Sequence, residues 1–463
     1  MTKELNWREQ ISIIGKSTFE LRQMLKLGFI DKKEMESSAL DIAEFDSVYE
    51  LKIANEQEIR ATNQLLSELG DVAPVIEKVR KSRIARIKNL RVIRKAEKEL
   101  YAKEQAVALR ERKLSEPFFL GHGVSDQLFF TEPDVIKLES KGLPVLRNVK
   151  DISNLIGLTP EVIAWLSFER RVSSIDHYLR FEIPKRSGGK RLISSPKEQM
   201  RKAQLAIRTE ILSNLSPSDN AMAFQKNTSI VDNAKAHVGA KILVRVDLKD
   251  FFPSISFNRV RGFFKSCGYS PGVSTVLALL TTDSQRVYVA INSGTKTVSR
   301  GKRGLPQGAC TSPDLANLIA SRLDARIQGL VTHKGNWTFT RYADDLVLST
   351  ASKDSDAFGM VKAVERIAVA EGFEVNTKKT SIKRPSGRMT VTGLVINDGE
   401  VRLSKEDLRR IRAFLHRCDT LGREAVSTEI EKNAEAVAKG YIAYLNMVSP
   451  EIALKYREKY SWL

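Results

Sequence analysis

Two apolar strands that each carry carboxylates at an end leave few folds open to this chain. Residues 241–248, KILVRVDL, are β-branched and aliphatic and finish at Asp247. About a hundred residues later, TFTRYADDLVLST (338–350) reads as two short strands around a turn that holds Asp344 and Asp345. Like charges gathered at strand ends repel unless a cation neutralises them. Oxygen ligands on rigid strands suit Mg²⁺, and two such ions can stabilise the attacking and leaving oxygens of a phosphoryl displacement. An adjacent Asp pair taken alone is more often just a turn, so its neighbours decide.

The charge balance points the same way. Lys and Arg number 75 against 56 Asp and Glu, a net of +19, and a partner made of phosphates explains such an excess through counterion release. Residues 1–76 carry nine basic and fourteen acidic side chains, whereas 77–113 carry fourteen and five. The second stretch lacks Gly and Pro, and Val79, Ile84, Ile87, Leu90, Ile93 and Leu100 recur mostly at three-residue steps, which predicts one long amphipathic helix. Its basic face either contacts nucleic acid or lies solvated on the body. Residues 114–147, with Pro117, Gly121, Gly123, Pro133, Gly142 and Pro144, read as a linker. An apolar content of 42% excludes global disorder. No apolar run nears the ~18 residues of a membrane span, and the start, Met-Thr-Lys-Glu, has no signal-peptide profile. The expectation is a cytoplasmic chain without a membrane partner. Cys267, Cys310 and Cys418 lie too far apart for a zinc site or a disulfide framework.

RVDLKDFFPSIS (245–256), GLPQGACTSPDLAN (304–317) and RYADDLVLS (341–349) stand in the order and spacing of motifs A, B and C of the reverse transcriptases, which they resemble. EGFEVNTKKTSI (371–382) follows where that family carries motif D, and YLRFEIPKRSGGKRLISSP (178–196) resembles its fingers segment. NAKAH, from Asn233 to His237, resembles the Asn-Ala-x-x-His signature of retron reverse transcriptases, and Val391 to Gly393, VTG, their second signature. The resemblance covers roughly residues 148–463 and says little about the first 140 or so. It implies an α+β fold, a right-hand polymerase with fingers and palm over 148–400 and a helical thumb over 401–463. A helical N-terminal extension over 1–147, with the basic helix and linker, precedes it.

Residue by residue, the resemblance makes Asp247 and Asp344 the ligands of two Mg²⁺ ions (Mn²⁺ being a possible substitute), with Asp345 a neighbouring ligand and the Leu248 carbonyl assisting. Phe252 stands where the family places a bulky gate beside the sugar C2′, its alternative being core packing. Gln307 can hydrogen-bond the incoming nucleotide, and Gly304 and Gly308 let the backbone pass close to a ligand. Lys185, Arg186, Lys190 and Arg191 flank a Ser-Gly-Gly hairpin tip suited to a triphosphate, with Lys185 and Arg191 chosen for direct contact. Lys379 resembles the motif D lysine, a candidate general acid. Asn233 and His237 take a structural or RNA-positioning role, and Thr392 and Gly393 shape a loop near the primer terminus. In SKEDLRRIRAFLHR (404–417), Ser404 reads as an N-cap and Leu408, Ile411 and Leu415 as the apolar face. Arg409 and Arg412 then belong to a basic face that grips RNA.

The function so implied is an RNA-directed DNA polymerase acting on dNTPs. It copies a cognate structured non-coding RNA, both template and primer source, into DNA linked to that RNA (retron msDNA) and holds the RNA–DNA hybrid. The same resemblance implies antiphage defence with an effector protein. A group II intron-like enzyme, a protein-primed defence polymerase and an RNA-binding scaffold that restrains a toxin are the alternatives. The short stretch after VTG weighs against the first, and intact acids at all three positions against the scaffold.

Overall fold

A computed structural model describes residues 6–27, 42–70, 73–184, 188–291, 294–397 and 399–463. The chain divides into two compact units, residues 1–106 and 107–463. In the first, the Trp7–Ile14 helix opens with a capping box between Asn6 and Glu9, which satisfies two otherwise orphaned N–H groups. Helices Lys16–Lys26 and Ile42–Leu69 follow, and Arg60 of the latter pairs with Glu9 at 3.5 Å. The expected basic helix runs unbroken from Ala73 to Ser115 with no buried residue, its Ile84, Ile87, Ile93 and Leu100 open to solvent.

The second unit is organised around a four-stranded antiparallel sheet in the order β7-β8-β4-β9, from strands Thr338–Tyr342 (β7), Asp345–Thr350 (β8), Ile242–Asp247 (β4) and Ser381–Lys383 (β9). Both faces of β4 are covered over Ile242–Val244, which is why that part of the strand is continuously apolar rather than alternating. Ile242, Val244 and Val246 join the main core with the Phe257–Cys267, Ser312–Lys334 and Ala357–Ala370 helices. Leu243 and Val347 join a second core with Met389, Leu394, Ile411 and Leu415, so the C-terminal helices lie on the sheet's other face. Two further hairpins stand apart from this sheet. One joins Tyr178–Pro184 (β2) to Lys190–Pro196 (β3), and the other joins Asp283–Ile291 (β5) to Gly294–Gly304 (β6), with Val172–Ser173 (β1) at its edge. The short Thr390–Val391 and Leu394–Val395 strands (β10 and β11) pair around Thr392–Gly393, both at positive φ.

The 114–147 stretch is more than the linker its Gly and Pro content predicts. Leu120, Val124, Leu138, Leu143 and Leu146 are buried in the main core, so the turns carry apolar anchors between them. Among the described residues, no helix is long and apolar enough to cross a membrane.

Candidate active site

Strand register assembles the acidic end of the sheet. β4 and β8 run antiparallel with Asp247 directly opposite Asp345, and Tyr342 pairs with Asp345 across the β7–β8 hairpin. Ala343 and Asp344 make the turn, Ala343 at φ +55°, a conformation that costs a residue with a Cβ some strain. The Leu248 N–H donates to the Asp344 carbonyl and the Asn376 N–H to the Asp247 carbonyl, each at 2.8 Å. Backbone bonds thus fasten the turn, the end of β4 and the segment before Lys379 to one another.

The three carboxylates have different surroundings. Lys379 Nζ lies 2.9 Å from Asp247 Oδ2. Both oxygens of Asp345 face the Arg245 guanidinium, Nη2 at 2.5 Å and Nε at 3.3 Å. Asp345, which the resemblance makes a neighbouring ligand, is engaged here by Arg245, two residues before Asp247 on the same strand face. Asp344 is paired with no cation among the described residues. Burial raises its carboxyl above the usual range, and the negative Asp247 and Asp345 raise it further. Among the described residues no three His, Cys, Asp or Glu side chains form a ready metal cage. Two carboxylates nonetheless fit Mg²⁺, which commonly takes one or two from the protein and the rest from water and substrate phosphates. The ammonium at Asp247 and the unpaired charge of Asp344 mark a place that a cation would stabilise.

Beyond the end of β4, Phe251 is buried while Phe252 is half-buried, its ring 5.5 Å from that of Phe251 and 6.1 Å from that of Phe224. Gln307 and Arg191 line one cavity; Lys185 and Arg186 lie outside the described residues. Gly304 and Gly308 each allow a close approach within the chain. A Cβ on Gly304 would strike the Pro253 carbonyl, and one on Gly308 would come within 2.9 Å of Ile193 Cγ2. They seat the protein's own backbone, and so place Gln307 beside β3, whose Ser194 N–H donates to the Gln307 carbonyl at 2.7 Å.

Asn233 and His237 are both buried, which removes them from direct RNA contact. His237 Nδ1 bonds Ser349 Oγ and Nε2 bonds Thr340 Oγ1, both at 2.7 Å, and that threonine donates to Asn233 Oδ1 at 2.6 Å. The signature therefore clamps the Ile230–Lys235 helix onto the β7–β8 hairpin that carries Asp344. The second signature joins the same clamp, Thr392 Oγ1 donating to the Ile230 carbonyl at 3.0 Å. On the helix Lys405–Thr420, Ser404 caps the N-terminus, Ile411 and Leu415 are buried, and Arg409 and Arg412 are exposed.

Burial holds His237 down at about 4, and burial, aided by Arg170, holds His177 at about 4 as well. Both are neutral in the folded chain near pH 7. Unfolded, each titrates near pH ~6.5, so below that pH the unfolded state binds more protons and stability falls until the folded values are passed. The slope approaches about 1.4 kcal/mol per pH unit for each histidine. Urea midpoints between pH 7 and pH 4.5 check this: His237→Gln should lose stability less steeply than the parent. An equal slope would clear His237 as a source.

One set of residues went unread in the sequence. Arg341 and Asp324 are both fully buried and joined by two bonds of 2.7 Å, Nε to Oδ1 and Nη2 to Oδ2. Arg341 Nη1 also donates to Asn317 Oδ1 at 2.9 Å and to the Ala343 carbonyl at 3.3 Å. A cation inside a short strand of β-branched and aromatic residues was the available signal, since such a charge is buried only with a partner.

The family described as reverse transcriptase (RNA-dependent DNA polymerase) matches residues 183–396. The Retron Mx65 reverse transcriptase of Myxococcus xanthus is 39% identical over 322 residues, 69% of this chain and 73% of that protein. The Retron Ec86 reverse transcriptase of Escherichia coli is 36% identical over 61% of this chain and 82% of its own length. Among solved structures, telomerase from Candida albicans with a telomeric RNA fragment aligns at a TM-score of 0.36 and 14% identity, over 61% of each chain.

Proposed function

This chain belongs to the retron reverse transcriptases, a family of RNA-directed DNA polymerases, and from that membership we propose that it copies a cognate structured non-coding RNA into single-stranded DNA that stays joined to the RNA. The observation that carries the reading is the sheet end where Asp247 and Asp344 meet, one paired with the half-exposed Lys379 ammonium and the other without an ion pair among the described residues. We assign fingers and palm to residues 148–400 and the thumb to 401–463.

Asp247 and Asp344 would hold the divalent ions that the family requires, for which we take Mg²⁺. Bound there, the ions would neutralise charge on the attacking hydroxyl and the departing pyrophosphate. The chain's own residues supply the rest. Arg245 keeps Asp345 from adding a third free negative charge. Lys379, half exposed and held at Asp247 Oδ2, can give its proton to the pyrophosphate oxygen as that group leaves. Phe252 puts bulk beside the sugar C2′ and so favours dNTPs. Arg409 and Arg412, exposed on one helix, grip backbone phosphates as charge-assisted donors.

Retron membership also supports a role in phage defence with an effector protein as partner. Sequencing the nucleic acid that co-purifies with the chain tests the central reading. The expected result is one structured RNA, branched at a guanosine 2′-hydroxyl to DNA complementary to part of it. Bulk cellular RNA with no complementary DNA would overturn it.

A further inference from the structure

A cavity of about 530 Å³ opens between the β2–β3 and β5–β6 hairpins, and Asp250 and Gln307 lie on its wall. Asp250 is three residues beyond Asp247, so the cavity adjoins the end of the strand that carries the catalytic carboxylate. Its volume falls in the range of small-ligand sites, roughly 300–1,000 Å³.

The cations around it divide into two kinds. Arg180 is spent on Asp176 at 2.7 Å and Asp283 at 2.5 Å, and Lys190 is spent on Glu182 at 2.7 Å. Arg191, Arg300 and Lys302 line the same cavity and have no carboxylate within ion-pair distance among the described residues. Among the described residues lining the cavity, Asp250 is the one unpaired acid facing them, which leaves the cavity positive. An irregularity in the hairpin brings the last two cations there. Arg300 pairs with Gln285 and Gly304 with Asp283, so three residues of β6 stand opposite Ser284 alone, and Gly301 sits at φ +80°. Such a bulge re-aims side chains. Arg303 turns inward to Glu169, the Thr282 carbonyl and the Leu279 carbonyl, while Arg300 and Lys302 are left on the cavity side.

We propose that Arg300 and Lys302 form, with Arg191, a cradle for the polyphosphate tail of the incoming nucleotide and for pyrophosphate after the bond has formed. The inference rests on the polymerase reading above and deepens it, because it assigns the tail to residues of the β5–β6 hairpin. A compact polyanion suits a cavity closed on two sides by hairpins and backed by the Gln307 amide. A guanidinium presents a fork to phosphate oxygens and an ammonium presents a point charge. An RNA backbone would instead need an open track, of the kind Arg409 and Arg412 offer on the thumb helix.

The test uses the full chain with its co-purified RNA and the variants Arg300→Gln, Lys302→Gln and the pair. Both side chains are exposed and unpaired, so the variants should melt with the parent. Single-nucleotide extension should show the KM for dNTP raised about tenfold by each substitution, with kcat changed far less and pyrophosphate a correspondingly weaker inhibitor. RNA affinity and its salt dependence should stay at parental values. Arg300→Lys should recover most of the loss. Unchanged KM and unchanged pyrophosphate inhibition would overturn the proposal. So would a lower RNA affinity with a salt slope reduced by about one per residue, which would assign the cations to the RNA backbone. Calorimetry with pyrophosphate alone gives a reading independent of synthesis. A parent that binds pyrophosphate through these residues yet makes no DNA would sink the polymerase reading and keep the cradle, and loss of neither binding nor KM in the variants would sink the cradle.

Discussion

Asp344→Asn should bind its RNA as the parent does and make no measurable complementary DNA. The substitution keeps the side chain's size and removes one of three like charges at the sheet end, the one with no cation of its own. Removing it should leave the fold at least as stable, because burial and the neighbouring carboxylates already oppose that charge. On the proposed metal assignment it takes away half of the Asp247–Asp344 donor set, and with it the site's hold on a divalent ion. A loss of about 4 kcal/mol in transition-state stabilisation is close to a thousandfold in rate. Single-turnover primer extension reads the rate, filter binding reads RNA affinity, and a melting curve reads the fold. DNA at parental levels would sink the assignment of Asp344. A variant that makes no DNA but still protects cells from phage would show that the RNA–protein particle acts without synthesis, as a scaffold.

The carboxylates were legible in the sequence because they sit at the end of one short strand and at the turn between two others, local patterns that survive folding. The same holds for Ser404 and the apolar face of Ile411 and Leu415, where a cap and a helical period are local signals. Pairings that depend on residues distant in the chain were not legible. Arg245 stands two residues before Asp247, yet its engagement of Asp345 depends on a register set 100 positions away. The signature left His237 and Asn233 between a structural and an RNA-positioning role; their partners, Ser349 and Thr340, come from strands more than 100 positions on. The 114–147 stretch misled in the opposite sense. Its glycines and prolines announce turns, but only the core shows that Leu138 and Leu143 are anchors.

Arg341→Met should be the most damaging single substitution away from the carboxylates. It leaves Asp324 fully buried without its partner, and breaking a buried pair from one side costs about 3–5 kcal/mol. Asp324, whose carboxyl burial already pushes up, would have to take a proton or carry an unpaired charge. Replacing both partners, Arg341→Met with Asp324→Leu, removes the buried charges together and should recover most of the stability, since apolar replacements of such pairs are often neutral. Activity should not recover with it. The Ala343 carbonyl would still lack its Arg341 donor, and the left-handed turn at Ala343 would lose one of the bonds that hold a strained conformation in place. Asp344 is the next residue, so a looser turn misplaces the carboxylate that meets Asp247. The double variant should therefore melt near the parent and show kcat reduced by about ten- to a hundredfold, since a 1 Å misplacement can cost that much, with the KM for dNTP little changed. Urea unfolding and single-nucleotide kinetics on the same preparations separate the two effects. A double variant with parental kcat would reduce Arg341 to a structural cation; one that stays as unstable as the single variant would mean that the Asn317 bond and the ring of Phe251, 5.8 Å from the guanidinium carbon, contribute more to the fold than the ion pair itself.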